Sequence, residues 1–455
     1  MIRTIFTITC LLIVGQLTTL QAQEIWSLEK CINYALDNNI KIKQGVISTK
    51  YQQNQLKQTR SSRLPNMNGS MSQSFYFGRT LLSDNSYSDI NSAQTGFGLG
   101  TNVPVFQGFY INNSISKLDL DLQASVSDLE KAKSDISVNI ASTFLEILFA
   151  KDLVKVSEDQ LVVTNLQIRQ INEKVEAGSL ARGSLLEIQA QAAGEELNLV
   201  NAKNQLQLAK LKLTQLLELP LKDNFDVEVP LLPEISAQAS IVSSGEVYKS
   251  ALLTRPEIKG ANLRYQSSQF QLKMAQGALY PTVSLYANAN YSYNNKNKTI
   301  NRDPNTGAII SYSDIGFYQQ LKNFQSKNIG LQMNIPIFTR FQNRLQIDNA
   351  RLQVLNYELE LESAKKLLRS DIETAQTNAI AALNRFLSNQ KAVSSMKEAF
   401  RYAEEKFGVG LVNAVEYNTS KTKLAKSESD LLQAKYEFIF RTKILDFYRG
   451  LPLTL

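Results

Sequence analysis

Histidine is absent from the 455-residue sequence, and cysteine occurs only at Cys10 and Cys31. No Ser-His or Cys-His nucleophile arrangement and no His-containing zinc site can therefore be assembled. No Gly-rich phosphate loop or nucleophile motif is recognisable, so the sequence reads as a non-enzyme without cofactor or metal. Gly and Pro are scarce, at 20 and 10 residues, while Gln, Asn, Ser, Leu and Lys are plentiful. This composition favours long helices with wetted faces over a mixed α/β globule. Lys+Arg outnumber Asp+Glu by only 49 to 42 and form no long basic block, so the electrostatic footprint of a nucleic-acid partner is missing. Long apolar runs are missing too. Beyond residue 22 nothing approaches the ~18 apolar residues of a spanning helix. Any entry into a membrane must be made by β-strands.

Residues 1–22 read as a secretory signal peptide. Arg3 supplies the positive start, Ile5 to Leu20 is mostly apolar, and Leu20-Gln21-Ala22 suits cleavage before Gln23. Cys10 lies inside the apolar run with no small residue before it, unlike a lipoprotein cysteine. Cys31 then stands alone and reads as a small buried residue.

The rest of the chain is organised by an internal duplication. Val103-Pro104-Val105-Phe106 returns 232 positions later as Ile335-Pro336-Ile337-Phe338, and Phe109 returns as Phe341. The same offset maps Gly178 to Gly410, Ala202-Lys203 to Ala434-Lys435 and Leu219-Pro220-Leu221 to Leu451-Pro452-Leu453. Earlier in each half the offset is 216, mapping Ile42-Lys43 to Ile258-Lys259 and Pro65 to Pro281. The second copy therefore carries 16 extra residues, which fall in the polar tract Asn294 to Lys327. Asp303-Pro304-Asn305-Thr306-Gly307 in that tract is turn chemistry, so the insertion is expected to lengthen a loop. The expected units are repeats over 23–220 and 246–455, joined by a linker over 221–245 with Pro230 and Pro233. Phe225 to Val229 in the linker suits a short strand. Each repeat is expected to open with a helix of about 35 residues ending near Pro65 or Pro281.

Period-2 alternation marks four strands, over about 66–78, 94–105, 282–293 and 328–337. In the first, Met67, Gly69, Met71, Phe75 and Phe77 oppose Asn68, Ser70, Ser72 and Ser74. In the second, Phe97, Leu99, Val103 and Val105 oppose Gly96, Gly98, Gly100 and Asn102. The third and fourth alternate likewise, with Val283 to Tyr293 and Ile329 to Ile337 on their apolar faces. About ten residues suffices for a tilted strand to cross a bilayer, and the polar faces are small and uncharged. Pattern alone also allows a soluble, half-buried sheet. Four strands cannot close a membrane barrel, for which the smallest number is about eight, and an open edge in lipid leaves backbone groups unsatisfied. If these strands span a membrane, the chain must oligomerise.

Two very long helices are expected, over about 108–176 and 341–407, each followed by a glycine break at Gly178 or Gly410 and a returning helix. About 70 residues of helix spans roughly 100 Å, so stability requires side-by-side packing. Leu118, Leu122, Val126, Leu129, Ile136 and Ile140 form a coiled-coil-like seam in the first. Leu352, Leu355, Leu359, Leu367 and Ile372 form one in the second.

Signal peptide, duplication, paired strands and long helices returning after a glycine together resemble the TolC-type outer-membrane efflux proteins, over essentially the whole mature chain. The most specific residues are the strand-to-helix junctions, Pro104 and Phe106 with Pro336 and Phe338. Equally specific are the turns Val175-Glu176-Ala177-Gly178-Ser179-Leu180 and Phe407-Gly408-Val409-Gly410-Leu411-Val412. The resemblance implies a mainly α fold with membrane β. In it a homotrimer forms a 12-stranded β-barrel in the outer membrane and a 12-helix α-barrel in the periplasm. It implies a passive exit duct for cargo delivered by an inner-membrane pump, in a tripartite efflux or type I secretion system. A periplasmic adaptor would dock at Gly178, Ser179, Leu180, Gly410, Leu411 and Val412. Family members often carry acids just past the second turn, facing a closed entrance. Six and nine residues after Gly410 stand Glu416 and Thr419, and in the first copy Ser184 and Glu187. Glu416 and Glu187 are the gate candidates, each equally readable as a solvated carboxylate near a helix start. A periplasmic coiled-coil adaptor or structural protein of an envelope complex is the alternative. It predicts a single helical hairpin without duplicated membrane-type strands.

Overall fold

The computed structural model describes residues 25–81, 85–89, 91–220, 225–231, 235 and 241–454. The expected signal peptide, Cys10 and Pro233 lie outside the described residues. The elements in order are β1 (Ile25–Trp26), α1 (Leu28–Asn38), α2 (Ile40–Ser61), β2 (Asn66–Tyr76), β3 (Arg79–Leu81), β4 (Tyr87–Asp89), β5 (Ser92–Gln107), α3 (Tyr110–Glu176), α4 (Arg182–Leu216) and β6 (Asp226–Val227). Then follow α5 (Ser244–Thr254), α6 (Pro256–Gly277), β7 (Thr282–Asn294), β8 (Lys298–Arg302), β9 (Ile309–Asp314), α7 (Phe317–Asn323), β10 (Gln325–Asn334), α8 (Gln342–Gly408) and α9 (Ala414–Tyr448). Helices of 11, 22, 67 and 35 residues occur in that order twice, as α1 to α4 and again as α5, α6, α8 and α9.

The expected opening helix of about 35 residues is in fact two. Asn39 separates α1 from α2, and Arg255 separates α5 from α6; both adopt extended backbone. At Arg255 the cause is Pro256, which disfavours helical conformation in the residue before it. At Asn39 the side chain substitutes for the proline. Its oxygen accepts the Lys41 N–H at 3.0 Å and its amide donates to the Leu216 carbonyl at 3.0 Å. Asn, which competes with the helix for backbone groups, is suited to such a break.

Two compact units result. The helical unit comprises residues up to Ile47, Val126–Lys259, and Glu362 onward. Its largest core gathers Trp26, Cys31, Ile140, Phe144, Leu148 and Leu213, all buried. Cys31 is fully enclosed there, and burial pushes its thiol up to about 12, which makes it inert. The linker does contain a strand: β6 pairs in parallel with β1, Ile25 opposite Asp226 and Trp26 opposite Val227. Lys151 and Lys210 both reach Asp226, at 2.7 and 3.2 Å, and Lys151 also donates to the Val227 carbonyl at 2.8 Å.

The strand unit comprises Ser48–Ser125 and Gly260–Leu361. Its main sheet has the order β10-β7-β5-β2 and is antiparallel throughout. The extra residues of the second half do not form a plain loop. They build the β8–β9 hairpin and the short helix α7, while the described residues of the first half show the smaller β3–β4 hairpin there. The Asp303 carboxylate accepts the N–H groups of Asn305 and Thr306 and fixes the β8–β9 turn.

Three strand boundaries differ from expectation. β2 stops at Tyr76, leaving Phe77 and Gly78 outside. β5 is longer, 92–107, because it is paired on both sides. β10 runs 325–334, so Ile335-Pro336-Ile337-Phe338 lies outside it. Its counterpart Val103-Pro104-Val105-Phe106 is held in β5 by β7, whereas β10 has no neighbour on its outer side among the described residues. The alternation of β5 is also interrupted at Val105. A bulge between Pro104 and Phe106 makes Val105 the extra residue and turns Phe106 toward Val283. Proline, lacking an N–H, suits that interruption.

Asp226 generates a prediction. Burial pushes its carboxyl up, but hydrogen bonds from Lys151, Lys210 and the Val227 N–H outweigh this and hold it below the usual carboxylate range. A depressed carboxyl contributes stability that is present above its unfolded value of about 3.9 and is lost as pH falls through the folded value. Asp226→Asn should therefore cost about 1 kcal/mol at pH 7, with the gap to wild type closing below about pH 4. Trp26, the single tryptophan, sits on the β1–β6 pair and reports the transition by fluorescence. A gap that persists unchanged at pH 3 would contradict the charge origin.

Candidate functional site: sheet faces, strand-to-helix junctions and helix turns

The sheet register sorts every side chain to one of two faces. Asn68, Gly100, Asn288 and Asn328 form one row, and Ser70, Gly98, Asn290 and Ser326 the next. No charged residue occurs on this face along the paired strands. Glycines fit it because neighbours occupy the space above them. A Cβ on Gly98 would meet Ser70 Oγ at 2.6 Å, and one on Gly100 would meet Asn288 Oδ1 at 2.8 Å. The opposite face carries the row Met67, Thr101, Ala287 and Ile329. It is bare: Met67 is 72%, Met71 70% and Ile329 75% exposed. Large apolar side chains displayed at that level on a contiguous face mark a surface meant for lipid or a partner.

The junctions are built alike in both halves. Gly108 and Phe109 both take positive φ, and so do Arg340 and Phe341 at the matching positions. Each junction closes with two rings at right angles, Phe106 on Phe109 at 5.3 Å and Phe338 on Phe341 at 5.8 Å. Gly108 also lies so near the Gly277 carbonyl that a Cβ would come within 2.1 Å of it. The bulky Arg340 occupies the same left-handed conformation at some cost in strain.

Both helix turns end in a left-handed glycine, Gly178 at φ +73° and Gly410 at φ +80°. The Ser179 N–H donates to the Lys174 carbonyl at 2.9 Å, and the Leu411 N–H to the Lys406 carbonyl at 2.8 Å. These are equivalent bonds of the helix-ending motif that glycine permits. Ser179 and Leu411 are exposed, while Leu180 and Val412 are half-buried. At the second turn Phe400 and Phe407 close on Tyr417.

The two gate candidates have different surroundings. Glu416 is exposed in the first turn of α9, where its N–H donates to the capping Asn413 side chain at 2.9 Å. Glu187 instead lines a groove of about 580 Å³ between α4 and α9, with Thr419, Lys423 and Lys426. The wall around Glu187 therefore carries cations as well as an acid.

Beside that groove lies a buried polar cluster that the motif comparison missed. Glu195 on α4 and Lys421 on α9 are each 6% exposed and stand 3.3 Å apart. Lys421 donates to the Thr164 hydroxyl, which donates to Glu195; Gln191 also donates to Glu195, at 3.0 Å. Burial lowers the affinity of Lys421 for its proton, and Glu195 opposes the shift. A heptad count reveals the cluster: Ile188, Glu195, Ala202 and Ala209 are all buried at sevenfold spacing on α4.

A family model described as outer membrane efflux protein matches residues 31–218 and again 247–439. The chain belongs to that family. It is an outer-membrane protein with a periplasmic extension, and its broad role is that of an outer-membrane efflux channel. Outer membrane efflux protein BepC of Brucella suis is 21% identical over 343 residues, covering 75% of this chain and 69% of that protein. Outer membrane protein TolC of Escherichia coli is 21% identical over 391 residues, covering 78% and 75%. The outer membrane protein VceC of Vibrio cholerae superposes with a TM-score of 0.76 at 18% identity, covering 94% of this chain and 97% of that one. No helix among the described residues is long and apolar enough to cross a membrane.

Removing one partner of a buried ion pair strands the other charge, at a cost of about 3 kcal/mol. Lys421→Ala is expected to destabilise the helical unit by that amount in urea titration. Joint replacement by Met at 421 and Leu at 195 should restore most of it. Equal loss in the single and double variants would show that packing, not charge pairing, sets the cost.

Proposed function

We propose that this chain is one protomer of a homotrimeric exit duct in the outer membrane. It passes cargo that an inner-membrane pump and a periplasmic adaptor deliver in a tripartite efflux or type I secretion system. The observation that carries the reading is the open sheet: one bare apolar face, one uncharged polar face, and two outer edges, β2 and β10, with no partner strand among the described residues. In lipid such edges must pair, and only other copies offer matching strands. Three copies of the four-stranded sheet make 12 strands.

Leu345, Leu352, Leu355 and Leu359 on α8 support the same reading. The last three were expected in a coiled-coil-like seam, yet all four are more than half exposed. A leucine stripe at helical spacing that finds no cover within its own chain suits a helix from a second copy. The chain is read as two tandem repeats, 23–220 and 246–455, each giving one strand pair and one long helical hairpin to barrel and tube. The uncharged face lines the lumen. The adaptor contacts the turn residues Gly178, Ser179, Leu180, Gly410, Leu411 and Val412, of which the two glycines, Ser179 and Leu411 are exposed. Glu416, repeated by symmetry, gives an entrance ring one acid per chain, which makes a weak cation trap.

The duplication supplies the register between copies. β5 corresponds to β10 at an offset of 232 and β7 to β2 at 216, so the observed Leu99–Ala289 pair translates to Leu331 of one protomer opposite Gln73 of the next. Cysteines at 331 and 73 should cross-link chains in outer-membrane fractions, giving covalent dimers and trimers on denaturing gels. Moving the second cysteine to position 72, on the opposite face, should abolish the product. Absence of any 331–73 product in membrane-inserted protein would overturn the closure.

A further inference from the structure

The residues that the second half has and the first half lacks end in α7, and α7 is not a loose loop. Gln320 is 1% exposed and uses its whole amide. It accepts the Asn294 N–H at 2.9 Å and the Asn297 side chain at 3.2 Å, and donates to the carbonyls of Asn294 and Ile315 at 3.0 and 2.8 Å. This pins α7 to the end of β7. Phe317 packs against Phe97 and Tyr293, with ring centroids at 6.5 and 5.1 Å. Both partners belong to the apolar face of the sheet, so α7 lies on that side at the strand ends farthest in sequence from the helices.

Its remaining surface suits neither water nor hydrocarbon alone. Tyr318 is 86% exposed, and Phe317 and Phe324 are exposed beside it. Lys322 is exposed in the last turn of α7. Lys327 stands in the otherwise uncharged row Gly69, Leu99, Ala289. Neither lysine has an ion-pair partner among the described residues, and Asp314 is shared with Lys298 instead. Aromatic rings and lysines together belong at a headgroup boundary, where rings enter the acyl edge and ammonium groups reach out to anions.

We propose that α7 and the start of β10 form a lipid site that holds the phosphate of a membrane lipid headgroup. Lys322 and Lys327 bind the phosphate, and Phe317, Tyr318 and Phe324 contact the acyl region. The occupant is lipid and not free phosphate, because the cations are inseparable from an exposed aromatic surface. This site rests on the barrel reading, which sets its apolar side toward lipid.

The test uses the assembled protein inserted in phosphatidylethanolamine vesicles, with or without a bisphosphorylated glucosamine lipid. Retained lipid is measured by native mass spectrometry. Wild type should retain the phosphorylated lipid, and K322A/K327A should lose affinity by about fivefold per lysine. Y318A, at an exposed position, should weaken retention without changing assembly. Millimolar inorganic phosphate should not compete. Insertion with equal retention by wild type and K322A/K327A, or displacement by free phosphate, would overturn the lipid site while leaving the barrel intact. Failure of the wild type to insert would overturn the barrel reading itself.

Discussion

Everything in this chain turns on backbone hydrogen bonding at the edges of a four-stranded sheet. Among the described residues β2 and β10 each pair on one side only. In water such edges are a liability that proteins usually blunt. In hydrocarbon they are intolerable, since no water is present to satisfy them. The bare methionines and isoleucines of one face exclude water as the destination, and the serines and asparagines of the other exclude a fully buried sheet. A closed ring of several copies meets all three conditions together.

The long helices answer a second form of the same demand. α3 and α8 are too long for a single core to stabilise, and much of α8 displays leucine to solvent in the isolated chain. Where helices do pack within the chain, the contacts are specific. Lys421 and Glu195 are buried between helices, a costly pairing that tolerates little sliding. Asp226 with its two lysines plays a comparable part by holding the linker strand against the helices. Polar groups thus fix position while apolar stripes supply the association.

Much of this was legible in the sequence because duplication repeats the information. The glycines at 178 and 410 found their turns, and alternation found four strands with nearly correct limits. What escaped had physical causes. The break at Asn39 was hidden because an asparagine there does what Pro256 does visibly in the second half. The bulge at Val105 escaped because alternation counts residues and a bulge adds one without notice. The structure of the inserted tract was missed since α7 depends on one buried glutamine and a ring packed against two other strands, none of it periodic. The Lys421–Glu195 pair was visible in heptad spacing, yet apolar seams drew the reading away from the charged positions inside them.

The central claim is that the sheet is complete only between copies. Native mass spectrometry of the detergent-extracted outer-membrane protein tests it most directly. The account predicts a single species of three chains that survives mild detergent and dissociates only on unfolding. A folded monomer recovered in soluble form, with its sheet edges stable in water, would contradict it.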